Sequence, residues 1–212
     1  MSYVRLTLAL AAVALGAGCA PQDAPHWGAD PTTPGKTIAM NLCSDCHGLE
    51  GNPVSPQFPR LAGQQKAYLV KQLNEFEKGH RADPTGSAYM WGIARSLTPK
   101  QTEEIAAYFN EQTPVPGPAG APALVDQGKK LFHEGKPGKG VPACATCHGQ
   151  NALGSGETPR LADQWSHYVL AQLDVFHTEE RPAAVAMHAI VPSLTQEDMV
   201  ALATYLQSPN AK

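Results

Sequence analysis

Apolar residues recur at helical spacing in matching places of the two halves of the chain. Leu69, Leu73 and Phe76 share one helix face, with Tyr68 beside them, and predict a helix over about 65–78. The equivalent stretch, about 165–177, predicts a second copy. A shorter apolar group comes earlier in each half: Ile38, Ala39 and Leu42, then Leu131 and Phe132. Each predicts a short helix. A third pair of helices is announced by its start signals. Thr98-Pro99-x-Gln101 offers an N-cap threonine, proline at the first helical position and a glutamine that can close a capping box. Thr195 has Asp198 in the same partner position. No alternating apolar–polar run of useful length appears, so the fold class is all-α.

The duplication extends well beyond these faces. Pro59-Arg60-Leu61-Ala62-Gly63-Gln64 returns as Pro159-Arg160-Leu161-Ala162-Asp163-Gln164. Tyr68, Gln72, Leu73, Phe76 and Arg81 return as Tyr168, Gln172, Leu173, Phe176 and Arg181. Met90-x-x-Ile93 returns as Met187-x-x-Ile190. The chain thus reads as two tandem domains related by duplication, 35–112 and 124–208. A proline-rich linker, 113–123, separates them and predicts a stiff extended connector. A second proline-rich stretch, 21–34, precedes the first domain as a leader. Gly135-Lys136-Pro137-Gly138-Lys139-Gly140 lengthens the approach to the second domain's cysteines and reads as a surface loop.

Residues 1–20 read as an export signal, with Arg5 before the apolar stretch 6–17. The small residues before Cys19 resemble a lipoprotein cleavage box in which Cys19 becomes a lipid anchor. Ordinary cleavage after Ala20 is the alternative. Either route places the protein in the periplasm. No other segment is long and apolar enough to span a bilayer. The net charge of −3 argues against nucleic acid as a partner.

Chemistry enters through the cysteines. Cys43-Ser44-Asp45-Cys46-His47 and Cys144-Ala145-Thr146-Cys147-His148 are C-x-x-C-H motifs, the attachment pattern of a c-type haem. Two thiols one helical turn apart can add to the two vinyl groups of one porphyrin, and the next histidine then lies under the iron. Two copies with matching flanks set aside the rival reading, a redox dithiol that happens to precede a histidine. Two covalent haems are expected, and each would fill the centre of a domain too small to bury much surface alone.

Each iron needs a second axial ligand if it is to carry electrons without binding substrate. Met40 is too close to its own Cys43 to reach the far face, and Met199 falls inside the last predicted helix. Met90 and Met187 remain, 43 and 39 residues after His47 and His148. A thioether opposite imidazole favours reduced iron and raises the potential. The carbonyls of Pro59 and Pro159 are candidates to orient the axial histidines. Arg60, Arg160, Arg81 and Arg181 are candidates for haem propionates. Tyr68, Tyr168, Gln64 and Gln164 either join them or pack the middle helices. His188 adjoins Met187 and reads as a surface histidine, with a place near a haem edge as the alternative.

The combination C-x-x-C-H-G, P-x-L-A-x-Q-x-x-x-Y and M-x-x-I, occurring twice over 35–205, resembles the cytochrome c4 family of diheme class I cytochromes c. The resemblance implies two class I haem domains facing each other across a pseudo-twofold axis, propionate edges in contact. It also implies a carrier between a quinol-oxidising cytochrome bc complex and a terminal oxidase, not an enzyme. Asp163 in place of glycine, and the longer approach to Cys144, depart from the pattern. The alternatives are a haem subunit of a dehydrogenase for sulfide, thiosulfate or alcohol, and a diheme redox enzyme. The latter needs an iron with a labile distal ligand. Lys129, Lys130, Lys136 and Lys139 cluster on the second domain and predict a basic docking face.

Overall fold

The computed structural model of the chain describes residues 30–209. The export segment and Cys19 lie outside the described residues. Among those described, regular structure is helical, with two isolated β-bridges and no strand. No described helix is long and apolar enough to cross a membrane.

In the first half, α1 (Gly35–Ile38) runs through a π-helical turn (Ala39–Cys43) into α2 (Ser44–His47). There follow α3 (Lys66–Glu77), α4 (Pro84–Ala94) and α5 (Pro99–Asn110). In the second half, α6 (Pro122–Glu134) is followed by α7 (Ala145–His148), α8 (Ser166–Val175), α9 (Val185–Ile190) and α10 (Gln196–Gln207). Each half has its own core. Ile38, Leu69, Leu97, Ile105 and Phe109 pack together in the first. Leu131, Phe132, Val169, Leu173, Leu202 and Tyr205 do so in the second. The first and last helices of each half cross closely at a glycine. A Cβ on Gly35 would collide with the backbone of α5, and one on Gly128 with the Ala201 carbonyl of α10.

Both capping boxes form. Thr98 Oγ1 accepts from the Gln101 amide and Gln101 Oε1 from the Thr98 amide; Thr195 and Asp198 do the same at α10. The glycine-rich insertion is a surface loop, exposed over 137–140, but an anchored one. It forms a 3₁₀ turn (Pro137–Lys139), pairs Lys136 with Val141 through two backbone bonds, and buries Val141 to 1 % exposure. The Lys136 ammonium forms an ion pair with Asp198, so Lys136 is not part of a free basic face. Lys129, Lys130 and Lys139 are exposed.

The linker lies docked along both halves. The Val115 amide donates to Asn52 Oδ1 at 3.0 Å, Arg60 Nη1 donates to the Val115 carbonyl at 2.6 Å, and the Gly120 amide donates to Ser208 Oγ at 3.0 Å. It is extended, as its prolines dictate, and pinned at both ends.

Candidate haem sites

His47 ends α2 and is buried, its helix stopped by Gly48 at φ 75°. Its Nδ1 lies 3.0 Å from the Pro59 carbonyl, and His148 Nδ1 lies 3.1 Å from Pro159. Burial pushes both imidazole pKa values below their ordinary value, against the opposing pull of the proline carbonyls. Both rings are therefore neutral at neutral pH. Nδ1–H donates to the carbonyl and Nε2 keeps its lone pair, the state a metal-ligating histidine requires.

The cysteines discriminate between haem attachment and dithiol redox chemistry. Burial pushes the Cys43 thiol up to about 12 and the Cys144 thiol up to about 11. A catalytic C-x-x-C needs a depressed thiol pKa to supply thiolate. These thiols are protonated at neutral pH and sit in apolar surroundings instead.

A continuous cavity of about 860 Å³ runs through both halves. Packed cores do not leave voids of this size. Cys43, Cys46, His47 and Met90 line its first part; Cys144, Cys147, His148 and Met187 line its second. Much of the remaining wall is apolar, including Leu69, Leu73, Phe76, Val169, Leu173 and Phe176. Two polar atoms give a more specific indication. Arg60 Nε and Arg160 Nε are buried and have no hydrogen-bond partner among the described residues, and both arginines line the cavity. A buried donor left without a partner is costly, and a carboxylate entering from the cavity would satisfy each. The residues present thus fit a haem in each half.

The remaining sequence candidates build the interface between the halves. Gln64 Oε1 accepts from the Arg160 amide at 2.7 Å, and its Nε2 donates to the Arg160 carbonyl at 2.9 Å. Gln164 makes the same two bonds to Arg60, at 2.9 and 3.0 Å. Each glutamine clamps the backbone of the opposite half. Arg81 donates to Gln72 of its own half and to Tyr168 and Gln172 across the interface. Arg181 donates to Gln172, and across to Tyr68 and Gln72. Burial opposes the Arg81 charge, but Tyr168, Tyr68 and Asp83 outweigh it and keep the guanidinium firmly protonated. Arg60 stacks 3.9 Å over the Trp165 ring and donates to the Val115 and Asp163 carbonyls.

Several of these roles escaped sequence reasoning. His188 is not a surface histidine: Nδ1 lies 2.9 Å from the Phe176 carbonyl and Nε2 2.8 Å from that of Arg181. The methionine-bearing helices α4 and α9 were not foreseen. Asp83-Pro84, with proline at the first helical position, was the available signal for α4. Asp163 adopts φ 65°, close to the 63° of Gly63, a conformation that aspartate tolerates better than most residues.

The cytochrome c family model matches residues 32–113 and again 125–209. The chain belongs to the cytochrome c family. It is 38 % identical over 168 residues to cytochrome c-552 of Acidithiobacillus ferridurans, covering 78 % of this chain and 73 % of that protein. It is 38 % identical over 176 residues to cytochrome c4 of Stutzerimonas stutzeri, covering 78 % and 83 %. It is also 34 % identical over 214 residues to the thiosulfate dehydrogenase electron acceptor of Thiomonas intermedia, covering 96 % and 92 %. Among solved structures, the cytochrome c4 of Acidithiobacillus ferrooxidans superposes with a TM-score of 0.73 at 38 % identity, covering 78 % of this chain and 98 % of that one. The fold is two tandem class I cytochrome c domains, and this cytochrome carries two c-type haems. Its role is electron transfer rather than catalysis.

Proposed function

We propose that the protein is a periplasmic two-iron relay whose irons are held by His47 and Met90 in the first domain and His148 and Met187 in the second. Cys43, Cys46, Cys144 and Cys147 form the thioether links. The observation that carries this reading is the repeated arrangement: a neutral histidine turned by a proline carbonyl, and a methionine on the same cavity, in both halves. When bound, each haem supplies a one-electron couple. The protein fixes the ligands, excludes water and holds the two sites in one rigid body through the glutamine clamps.

Arg60 and Arg160 are the stronger propionate partners, because each has an Nε donor without a partner among the described residues. Arg81 and Arg181 already give their donors to protein acceptors, in their own half and across the interface. Cys19 is the candidate lipid anchor; firm attachment takes more than one acyl chain.

For partners, we favour electron delivery from a quinol-oxidising cytochrome bc complex to a terminal oxidase. The similarity to a thiosulfate dehydrogenase electron acceptor, spanning 96 % of this chain, favours a second reading in which a sulfur-oxidising enzyme is the donor. Stopped-flow reduction tests the two. Fast reduction by a purified bc complex with quinol, and slow reduction by thiosulfate dehydrogenase with thiosulfate, supports the first; the reverse order supports the second. The oxidised protein should be low-spin with a near-infrared sulfur-to-iron band from both sites. High-spin or bis-histidine spectra would overturn the ligand set.

A further inference from the structure

The two sites repeat each other's ligands but not each other's charge. In the first half, Asp83 is 3 % exposed and accepts from Arg81 Nε at 2.7 Å. The carboxylate sits at the start of α4, seven residues before Met90, and lines the cavity together with Pro84, Gly86 and Met90. Its second oxygen occupies the space a Cβ on Gly86 would fill, so glycine at that position makes room for it.

The second half is shorter here. Nine positions separate Arg81 from Met90, but six separate Arg181 from Met187. The residue two places after Arg181 is Ala183, which is exposed. Arg181 donates to amide and hydroxyl oxygens of Gln172, Gln72 and Tyr68, and no carboxylate pairs with it among the described residues. The methionine helix is fastened differently too, through His188 to the Phe176 and Arg181 carbonyls. The equivalent residue in the first half is Trp91, which is exposed and stacked by Arg95 at 4.5 Å. The interface arginines match, and Asp83 is the buried carboxylate paired with one of them; an extra buried carboxylate of the second half, Asp163 in place of Gly63, pairs with Arg160 instead.

We propose that Asp83 is a positioning residue that lowers the reduction potential of the Met90 site and acts far less on the Met187 site. It acts through space, and through Arg81, whose guanidinium it holds. An oxidised iron carries one more positive charge than a reduced one. A nearby negative charge in a medium of low effective dielectric therefore favours the oxidised state. Arg81 has its counterpart in Arg181, whereas Ala183 stands where a counterpart of Asp83 would.

This inference rests on the His–Met reading above, and the experiment separates the two. Full-length holoprotein is titrated by spectroelectrochemistry, and the components are assigned with Met90→Ala and Met187→Ala. Asp83→Asn keeps an oxygen for Arg81 Nε and removes the charge. It should shift the Met90-site equilibrium about tenfold towards reduced iron, 59 mV for a one-electron couple. The Met187 site should move much less. Asp83→Glu should stay near the wild-type midpoint, and the near-infrared band should persist in both variants. Unmoved midpoints, equal movement of both sites, or a Glu variant that behaves as Asn does, overturns the proposal. If Asp83→Asn fails to assemble, Asp83→Ser carries the same expected shift, and an unshifted Met90 midpoint there overturns it. A wild-type protein without the near-infrared band overturns the ligand set itself, whereas an intact band with unmoved midpoints overturns this inference alone.

Discussion

The first half closes its last helix with a neutral capping box, Thr98 and Gln101; the second closes the same helix with a charged one, Thr195 and Asp198, and anchors its insertion there through Lys136. That contrast is typical of the pair. The haem motifs and the contacts between the halves match in the two copies: C-x-x-C-H, the proline carbonyl, the clamping glutamine, and the arginine, glutamine and tyrosine of the interface. Caps, turns and the fastening of the methionine helices differ. Gln101 faces Asp198, Gly63 faces Asp163, Trp91 faces His188, and an eleven-residue α4 faces a six-residue α9. Cofactor geometry and pseudo-symmetric contact constrain both copies at once, whereas a cap or a loop anchor can be rebuilt in one copy alone.

The most severe break in the comparison removes one of the two proposed methionine ligands. Met90→Ala should abolish the first site's share of the near-infrared sulfur-to-iron band, about half the total, and leave the other half; Met187→Ala should do the converse. If either variant removes the whole band, or none of it, the two sites are not independent His–Met centres.

A smaller effect is expected from the clamps. Gln64→Ala leaves the Arg160 amide and carbonyl without partners, and Gln164→Ala does the same to Arg60. Buried backbone groups without partners cost about 1–3 kcal/mol each. Among the described residues one ion pair joins the halves, Lys71 with Glu157; it is partly exposed and of the surface class worth about 0–1 kcal/mol. The glutamines therefore dominate. Each single variant should lower stability by about 2–6 kcal/mol, and the double variant should split denaturant unfolding into two transitions. Lys71→Ala should leave a single transition. Equal effects of the glutamine and lysine variants would place the interface energy elsewhere.

Acid should separate the halves. Burial raises the Asp198 pKa, but the Lys136 ion pair and the Thr195 cap bonds outweigh it and hold the carboxyl below its ordinary 3.8. A carboxyl depressed by folding stabilises fully above the unfolded-state value. That contribution is lost as pH falls through 3.8 towards the folded value. The first half has uncharged Gln101 at this place and loses nothing there. Asp198→Asn should cost about 1–2 kcal/mol at pH 7, the range of a helix cap, and progressively less as pH drops below about 4. Urea unfolding of both proteins across that range measures it, and a pH-independent difference would remove the charge from the account.

What was legible in the sequence is what is local in it. The C-x-x-C-H motifs, both capping boxes and the middle helices involve residues within about a dozen positions, where spacing and side-chain chemistry are enough. The clamps join Gln64 to Arg160 and Gln164 to Arg60 across roughly a hundred residues, and a polar residue on a helix face looks the same whether it meets water or another domain. Asp163 also looked like a departure. In the structure its left-handed φ repeats that of Gly63, and its carboxylate binds Arg160. The insertion is exposed over 137–140, as its glycines and lysines suggest, but its anchors, the buried Val141 and the Lys136–Asp198 pair, are distant contacts that composition does not reveal.

The smallest effect concerns docking, and it sharpens the comparison at the surface. With Lys136 committed to Asp198, the second half still exposes Lys129, Lys130 and Lys139, two on α6 and one on the insertion that the first half lacks. Exposed like charges steer encounter with an acidic partner and change association rates more than affinity, and salt screens them over about 10 Å at 0.1 M. Replacing the three lysines with glutamine should slow second-order electron exchange with an acidic redox protein by a few-fold at low ionic strength. The difference should fade as salt rises, with the visible and near-infrared spectra unchanged. Lys136→Gln should behave differently. It should lower the stability of the second half through Asp198, yet alter the exchange rate less than the triple variant does. If Lys136→Gln slows exchange as much as the triple variant, the insertion itself, rather than its exposed lysines, forms the contact.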